Sequence, residues 1–176
     1  TSLVAPTLKA DTGHLIYEEK ADALQSAIRI GMPSINRNHV DYPALQFVNT
    51  LLGGFFGSRL MRNIREEKGY TYSIGSAVGT LMYGGFMTIA TEVGVDVTDA
   101  TLIEIEKEIE ILRTEHAPLE ELELVKNYLS GSMLGSLESI FSHADKFKNV
   151  LLSNMELSYY DHYMKEINAM TPEKVK

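Results

Sequence analysis

The chain has 176 residues, 44% hydrophobic and 23% charged, with a net charge of −8. That length suits one domain with a proper core, and its 16 scattered basic residues give no electrostatic surface for nucleic acid. The absence of cysteine excludes a disulfide framework, a thiol nucleophile and thiolate metal sites.

In chain order, Thr7 to Glu19 is expected to be extended, with a turn at Asp11-Thr12-Gly13. Residues 24–32 (LQSAIRIGM) alternate as a strand does, and Pro33 is expected to close it. "HVDYPALQFVNTLLGG" predicts a helix with Leu45, Val48 and Leu52 on one face, stopped by Gly53-Gly54. Ser58 is placed to cap the next helix, whose apolar stripe is Leu60, Met61 and Ile64, and Gly69 stands where a left-handed C-terminal residue is wanted. Strands at 70–81 and 85–93 follow, with a tight turn at Tyr83-Gly84.

From there the chain is helical. Asp96 or Thr98 is expected to cap a helix with Leu102, Ile105, Ile109 and Leu112 inward. Pro118 opens another with Leu122, Val125 and Leu129 inward, and helices at 138–153 and 156–169 complete the set. Thr171-Pro172-Glu173 reads as a further helix start. Strands first and helices last imply an α+β fold, a mostly antiparallel sheet with helices packed on one face. No apolar run approaches the ~20 residues of a membrane-crossing helix. The start at Thr1 and the stop soon after Thr171 suggest a fragment of a longer protein, a single domain over residues 1–176 lacking a final strand.

Few residues carry an obvious chemistry. His14, His39, His116, His143 and His162 include no pair three or four positions apart, so no helical metal pair exists. "LRTEH" (residues 112–116) differs from the H-x-x-E-H zinc motif in having Leu112 first, and leucine cannot bind zinc. There is no G-x-S-x-G or S-x-x-K nucleophile frame. The glycine cluster "GGFFGSR" (53–59) lacks the G-K-[ST] ending of a phosphate loop and suffices as a link between helices. Glu104, Glu106, Glu108 and Glu110 fan around a helix, which predicts a solvated face with Glu104–Lys107 and Glu110–Arg113 pairs. Tyr159, Tyr160 and Tyr163 suit packing with wet hydroxyls. Arg65 and Tyr72 remain, an arginine at a helix end and a tyrosine on the following strand. Together they offer donors for a peptide carbonyl or a developing oxyanion, or they are ordinary surface side chains. Spacing alone does not decide between these.

The stretch "LLGGFFGSRLMRNIREEKGYTYSIGS" resembles the second-half domain of the insulysin, pitrilysin and mitochondrial processing peptidase family of zinc peptidases. The matching residues are Leu52-Gly53-Gly54, Ser58-Arg59-Leu60, Ile64-Arg65-Glu66, Gly69 and Tyr72-Ser73. The likeness continues through the helix holding Lys126 and Asn127 and ends in "INAMTPEKVK". The resemblance implies a clamshell of paired α+β domains. Zinc sits on the partner domain or subunit, where it lowers the pKa of a water, and no metal or cofactor is implied in this chain. Arg65 and Tyr72 would contact the peptide substrate near the scissile carbonyl, and the chain alone would be inactive. The alternatives are a non-catalytic structural or peptide-binding subunit of the same family, or an independent small-ligand domain using the glycine cluster. Tyr70 departs from the small or aliphatic residue of processing-type members, and the long glycine-rich loop of the mitochondrial subunit is missing. The missing loop favours a bacterial-type peptidase; the compartment is open between bacterial periplasm and cytoplasm, with the periplasm slightly favoured, and homo-oligomerisation is left open.

Overall fold

The structure, a computed structural model, describes residues 13–176. Of the first extended stretch, only Gly13 onward can be compared; Asp11 and Thr12 lie outside the described residues. Gly13 to Lys20 runs irregularly, with Leu15, Ile16 and Tyr17 exposed, so this part is not paired into a sheet.

Three strands form an antiparallel sheet in the order β1-β3-β2: β1 (Gln25–Ser34), β2 (Thr71–Leu81) and β3 (Gly84–Gly94). Strand β3 is central because it pairs Ile28 with Thr91 on one side and Ile74 with Thr91 on the other. Met82-Tyr83 makes the hairpin turn, one residue earlier than expected, since Leu81 pairs with Gly84. Pro33 does not close β1 but lies within it, opposite Phe86. An edge strand tolerates proline because its outer side has no ladder to serve.

Period-two alternation sends Ile28, Ile74, Ile89 and Val93 to one face and leaves Arg29 and Glu92 on the other, where they form an ion pair. Helices cover only the apolar face. Helix α1 (Tyr42–Asn49) brings Phe47 into the core and runs on as a wider π-turn over Thr50–Gly54, which buries Leu51 and Leu52. Of the expected inward residues, Leu52 is buried while Leu45 and Val48 are half-buried. Thr50 Oγ1 donates to Gln46 O at 2.8 Å, competing with the regular ladder at the point where the helix widens. Gly53 is required here: a Cβ would fall 2.7 Å from the backbone nitrogen of Ser76, so only glycine lets this turn rest against β2. Ser76 Oγ then donates to Asn49 O at 3.1 Å across the same contact.

A second π-helical segment, Met61–Glu67, buries Met61, Asn63 and Ile64. Gly69 is left-handed, at φ 65°. The amide of Tyr70 reaches back to Ile64 O at 3.0 Å, closing the helix before the chain turns into β2. Ser58 does not cap this segment: its Oγ is buried without a hydrogen-bond partner, and its carbonyl accepts instead from Arg62 N.

The remaining helices are α2 (Thr98–Thr114), α3 (Leu119–Gly135), α4 (Ile140–Leu152), α5 (Tyr159–Asn168) and the single turn α6 (Pro172–Val175). Ile105 and Leu112 of α2 and Leu122 and Val125 of α3 are buried, with Leu102, Ile109 and Leu129 packed against them as periodicity predicts. Neither Asp96 nor Thr98 caps α2. Thr98 Oγ1 instead lies 2.7 Å from Ser26 Oγ on β1 and 3.0 Å from Val95 O, so it ties the turn before α2 to the strand rather than capping the helix. Thr171 likewise makes no side-chain cap, although Pro172 opens α6 as expected.

Candidate functional site

The corner between the Met61–Glu67 segment and β2 is built so that its two faces hold arginine differently. Toward α3, Arg59 and Arg62 converge on Glu121. Arg59 Nη2 lies 2.8 Å from one carboxylate oxygen and Arg62 Nη2 2.9 Å from the other. The Arg59 side chain is only 8% exposed. Burial alone would raise the Glu121 carboxyl, but hydrogen bonds from Arg62 and Arg59 outweigh it and hold it below the ordinary range.

On the adjoining face, Asn63 donates through Nδ2 to Glu104 (3.0 Å) and Glu108 (2.6 Å) of α2. Lys68 and Lys107 approach Glu104 as well. The Glu104 carboxyl is lowered mainly by the Asn63 bond, against burial and with help from Lys68. The expected Glu104–Lys107 and Glu110–Arg113 pairs are present. The fully solvated acidic face is not: a buried amide on the π-helix needs acceptors and draws Glu104 and Glu108 inward.

Arg65 points the other way. It makes no ion pair and no hydrogen bond to other described residues; its guanidinium carbon lies 4.7 Å from the centre of the Phe56 ring and 5.6 Å from that of Tyr72. Cations so placed on exposed rings gain ~0.5–1 kcal/mol. The expected pair, Arg65 and Tyr72, thus stands together, with Phe56 added from the glycine-rich link. Tyr72 is 88% exposed, and its hydroxyl has no partner among the described residues.

A β-bulge sets the direction of Tyr72. Thr71 pairs with Val93 and Ile74 with Thr91, so Tyr72 and Ser73 together face the single residue Glu92. Both are exposed, whereas strict alternation would turn one of them inward. The bulge is held by two threonines. Thr71 Oγ1 is 2.7 Å from Glu92 O and 2.8 Å from Thr91 Oγ1, and it accepts the amide of Ser73. The buried hydroxyl of Thr91 also lies 2.9 Å from Ser73 O.

Nothing here fits a zinc ion. Among the described residues no three His, Asp or Glu side chains gather as metal ligands. Leu112 is buried in the core, and His116 lies 3.9 Å from Glu173. His39 pairs with Asp41, far in sequence from either. No described helix is long and apolar enough to cross a membrane.

Among the described residues, a three-stranded antiparallel sheet covered by helices on one face, with an outward arginine–tyrosine corner and no gathered metal ligands, defines an α+β domain. Residues 2–129 match the family model of the peptidase M16 inactive domain, and the chain belongs to that family. It is 29% identical over 157 residues to the uncharacterized zinc protease YmxG of Bacillus subtilis, covering 89% of this chain and 38% of the relative. A second B. subtilis protein, the probable inactive metalloprotease YmfF, is 23% identical over 168 residues, covering 95% and 38%. Among solved structures, the peptidase M16 inactive domain from Pseudomonas fluorescens superposes with a TM-score of 0.79 at 28% identity, covering 87% of this chain and 37% of that one. A protease from Helicobacter pylori shares the fold, with a TM-score of 0.80 at 20% identity over 89% of this chain and 38% of its own. The chain therefore spans less than two-fifths of the length of these curated relatives.

Proposed function

We propose that this chain is the substrate-positioning half of a zinc metallopeptidase and works across from a homologous zinc-bearing domain. The observation that carries the reading is Arg65, held over the Phe56 and Tyr72 rings with its donors unclaimed by any described carboxylate. A planar fork and a phenol hydroxyl side by side can donate to one carbonyl oxygen and to the negative charge it gains as it is attacked. The bulge turns Tyr72 outward and the rings lie against Arg65, an arrangement that would leave less ordering to be done on binding. Water activation would belong to the zinc-bearing partner, since no donor set for the metal gathers among the described residues of this chain.

The test uses the chain together with its zinc-bearing partner region. Replacing Tyr72→Phe or Arg65→Ala should lower kcat by about 10²–10³-fold while KM changes much less, because the donors act mainly on the charged intermediate. Unchanged turnover in both variants would overturn the assignment. A second reading, a peptide-holding domain without turnover, is favoured by the likeness to YmfF, whose description is that of a probable inactive metalloprotease. The unmutated mixture separates the two, since only the first predicts cleavage.

A further inference from the structure

Away from that corner, a cleft of about 440 Å³ opens between the start of α1, the end of α3, and helices α4 and α5. Arg37, Lys146, Tyr159, Tyr160 and Tyr163 line it. In a chain with net charge −8, Arg59, Arg62 and Lys68 are matched to carboxylates, yet these two cations are not. Lys146 Nζ has only soft neighbours, Met133 Sδ at 3.2 Å and the centre of the Tyr160 ring at 4.5 Å. Arg37 makes no ion pair with any described residue. The acidic residue of the lining, Asp145, is taken up by Lys148 at 2.6 Å.

The cations are held there by the fold. On either side of Arg37, Asn36 Nδ2 donates to Met82 O at 3.0 Å and Asn38 Nδ2 to Ser153 O at 2.9 Å, fixing the loop over the cleft. The hydroxyls of Tyr159, Tyr160 and Tyr163 have no hydrogen-bond partner among the described residues. Burial raises the Tyr163 phenol to about 12 and pushes Tyr159 higher still, so both stay protonated donors at physiological pH. Burial and the nearby Arg37 lower the Lys146 ammonium, as expected for a cation awaiting a counter-charge.

Two unmatched cations, several free phenol donors and aromatic walls call for one ligand chemistry. We propose that the cleft binds an oxyanion, a carboxylate or phosphate group borne on an aromatic or apolar body, between Arg37 and Lys146. The anion would sit between the two cations and accept from the phenols, while its apolar part lies on the tyrosine rings. Such a site is independent of peptide positioning by Arg65 and Tyr72.

Calorimetric titration of the full chain with phenyl phosphate and with N-acetylphenylalanine tests this, with benzyl alcohol and N-acetylphenylalaninamide as uncharged matches. At least one oxyanion should saturate a single site, and its neutral match should bind at least about tenfold more weakly. Tighter phenyl phosphate would point to a phosphate ester as the natural source, and tighter N-acetylphenylalanine to a free peptide end. Arg37→Gln and Lys146→Gln should each weaken binding by about tenfold or more. Tyr163→Phe, which keeps the ring and its packing, should weaken it severalfold. Absence of saturation at millimolar ligand, equal binding of the neutral matches, or unaltered binding in all three variants would overturn the proposal. Because the readout is binding to this chain alone, such a failure leaves the positioning role of Arg65 and Tyr72 standing.

Discussion

The helical turns from residue 59 to 67 present arginines to two neighbours and hold them in two different ways. On the α3 side, Arg59 and Arg62 are consumed by Glu121, a partly buried carboxylate that accepts from both. On the β2 side, Arg65 meets rings in place of a carboxylate, which hold a guanidinium in place without occupying its N–H donors. A charge pair fixes an arginine by using up its donors, whereas aromatic faces fix it and leave them free. The segment thus secures itself with one set of cations and offers another.

The sharpest way to break the comparison is Glu121→Ala. It strands Arg59, 8% exposed, without its counter-charge. Removing one partner of a buried pair typically costs about 3–5 kcal/mol. Urea unfolding of Glu121→Ala should show a loss in that range. Arg65→Ala should stay within ~1 kcal/mol of the parent, because only exposed ring contacts are lost. If the two variants were equally destabilised, the two sides of the segment would not differ in kind.

Acid sharpens the same contrast. The folded-state pKa of Glu121 is depressed, so the unfolded chain binds the proton more readily. Its stabilisation is complete above the ordinary carboxylate range and is lost as pH falls through the lowered folded value. Glu121→Gln lacks the charge at every pH. The stability gap between parent and Glu121→Gln should therefore be widest near neutrality and shrink on acidification. A gap that widened toward acid would mean that the carboxylate is not stabilised by Arg59 and Arg62.

Much of this was legible in the sequence. The hairpin, the one-sided burial of the sheet and the inward residues of α2 and α3 follow from periodicity, which registers which face meets a core. The sequence also marks Arg65 and Tyr72, and the structure brings them within ring-contact distance. The bulge that aims Tyr72 was not foreseen. Thr71-Tyr72-Ser73-Ile74 alternates acceptably, and the extra residue becomes visible only against its partner strand. The expected caps fail for different reasons: the Thr98 hydroxyl meets Ser26 on β1, a partner the local sequence does not display, whereas the Ser58 hydroxyl is buried with no partner among the described residues. Pro33 in sequence looks like a strand end, because its place at the sheet edge depends on strand order. Phe56 lies within a glycine-rich link, and nothing nearby in sequence shows that its ring lies against Arg65.

Phe56 supplies the finest test of the comparison. It is 63% exposed, so replacing it creates no core cavity, and Phe56→Leu keeps an apolar side chain of similar bulk while removing the ring face. If the ring does no more than fill space, turnover in the paired enzyme should not change. If it holds Arg65 ready for substrate, the lost contact of ~0.5–1 kcal/mol corresponds to a loss of roughly two- to fivefold, far below that of removing Arg65 itself. Combining Phe56→Leu with Arg65→Ala distinguishes a direct from an indirect action. Without the guanidinium, Phe56→Leu should have no further effect, because a ring that acts only by holding Arg65 has nothing left to hold. An undiminished second loss would mean instead that Phe56 touches the substrate in its own right.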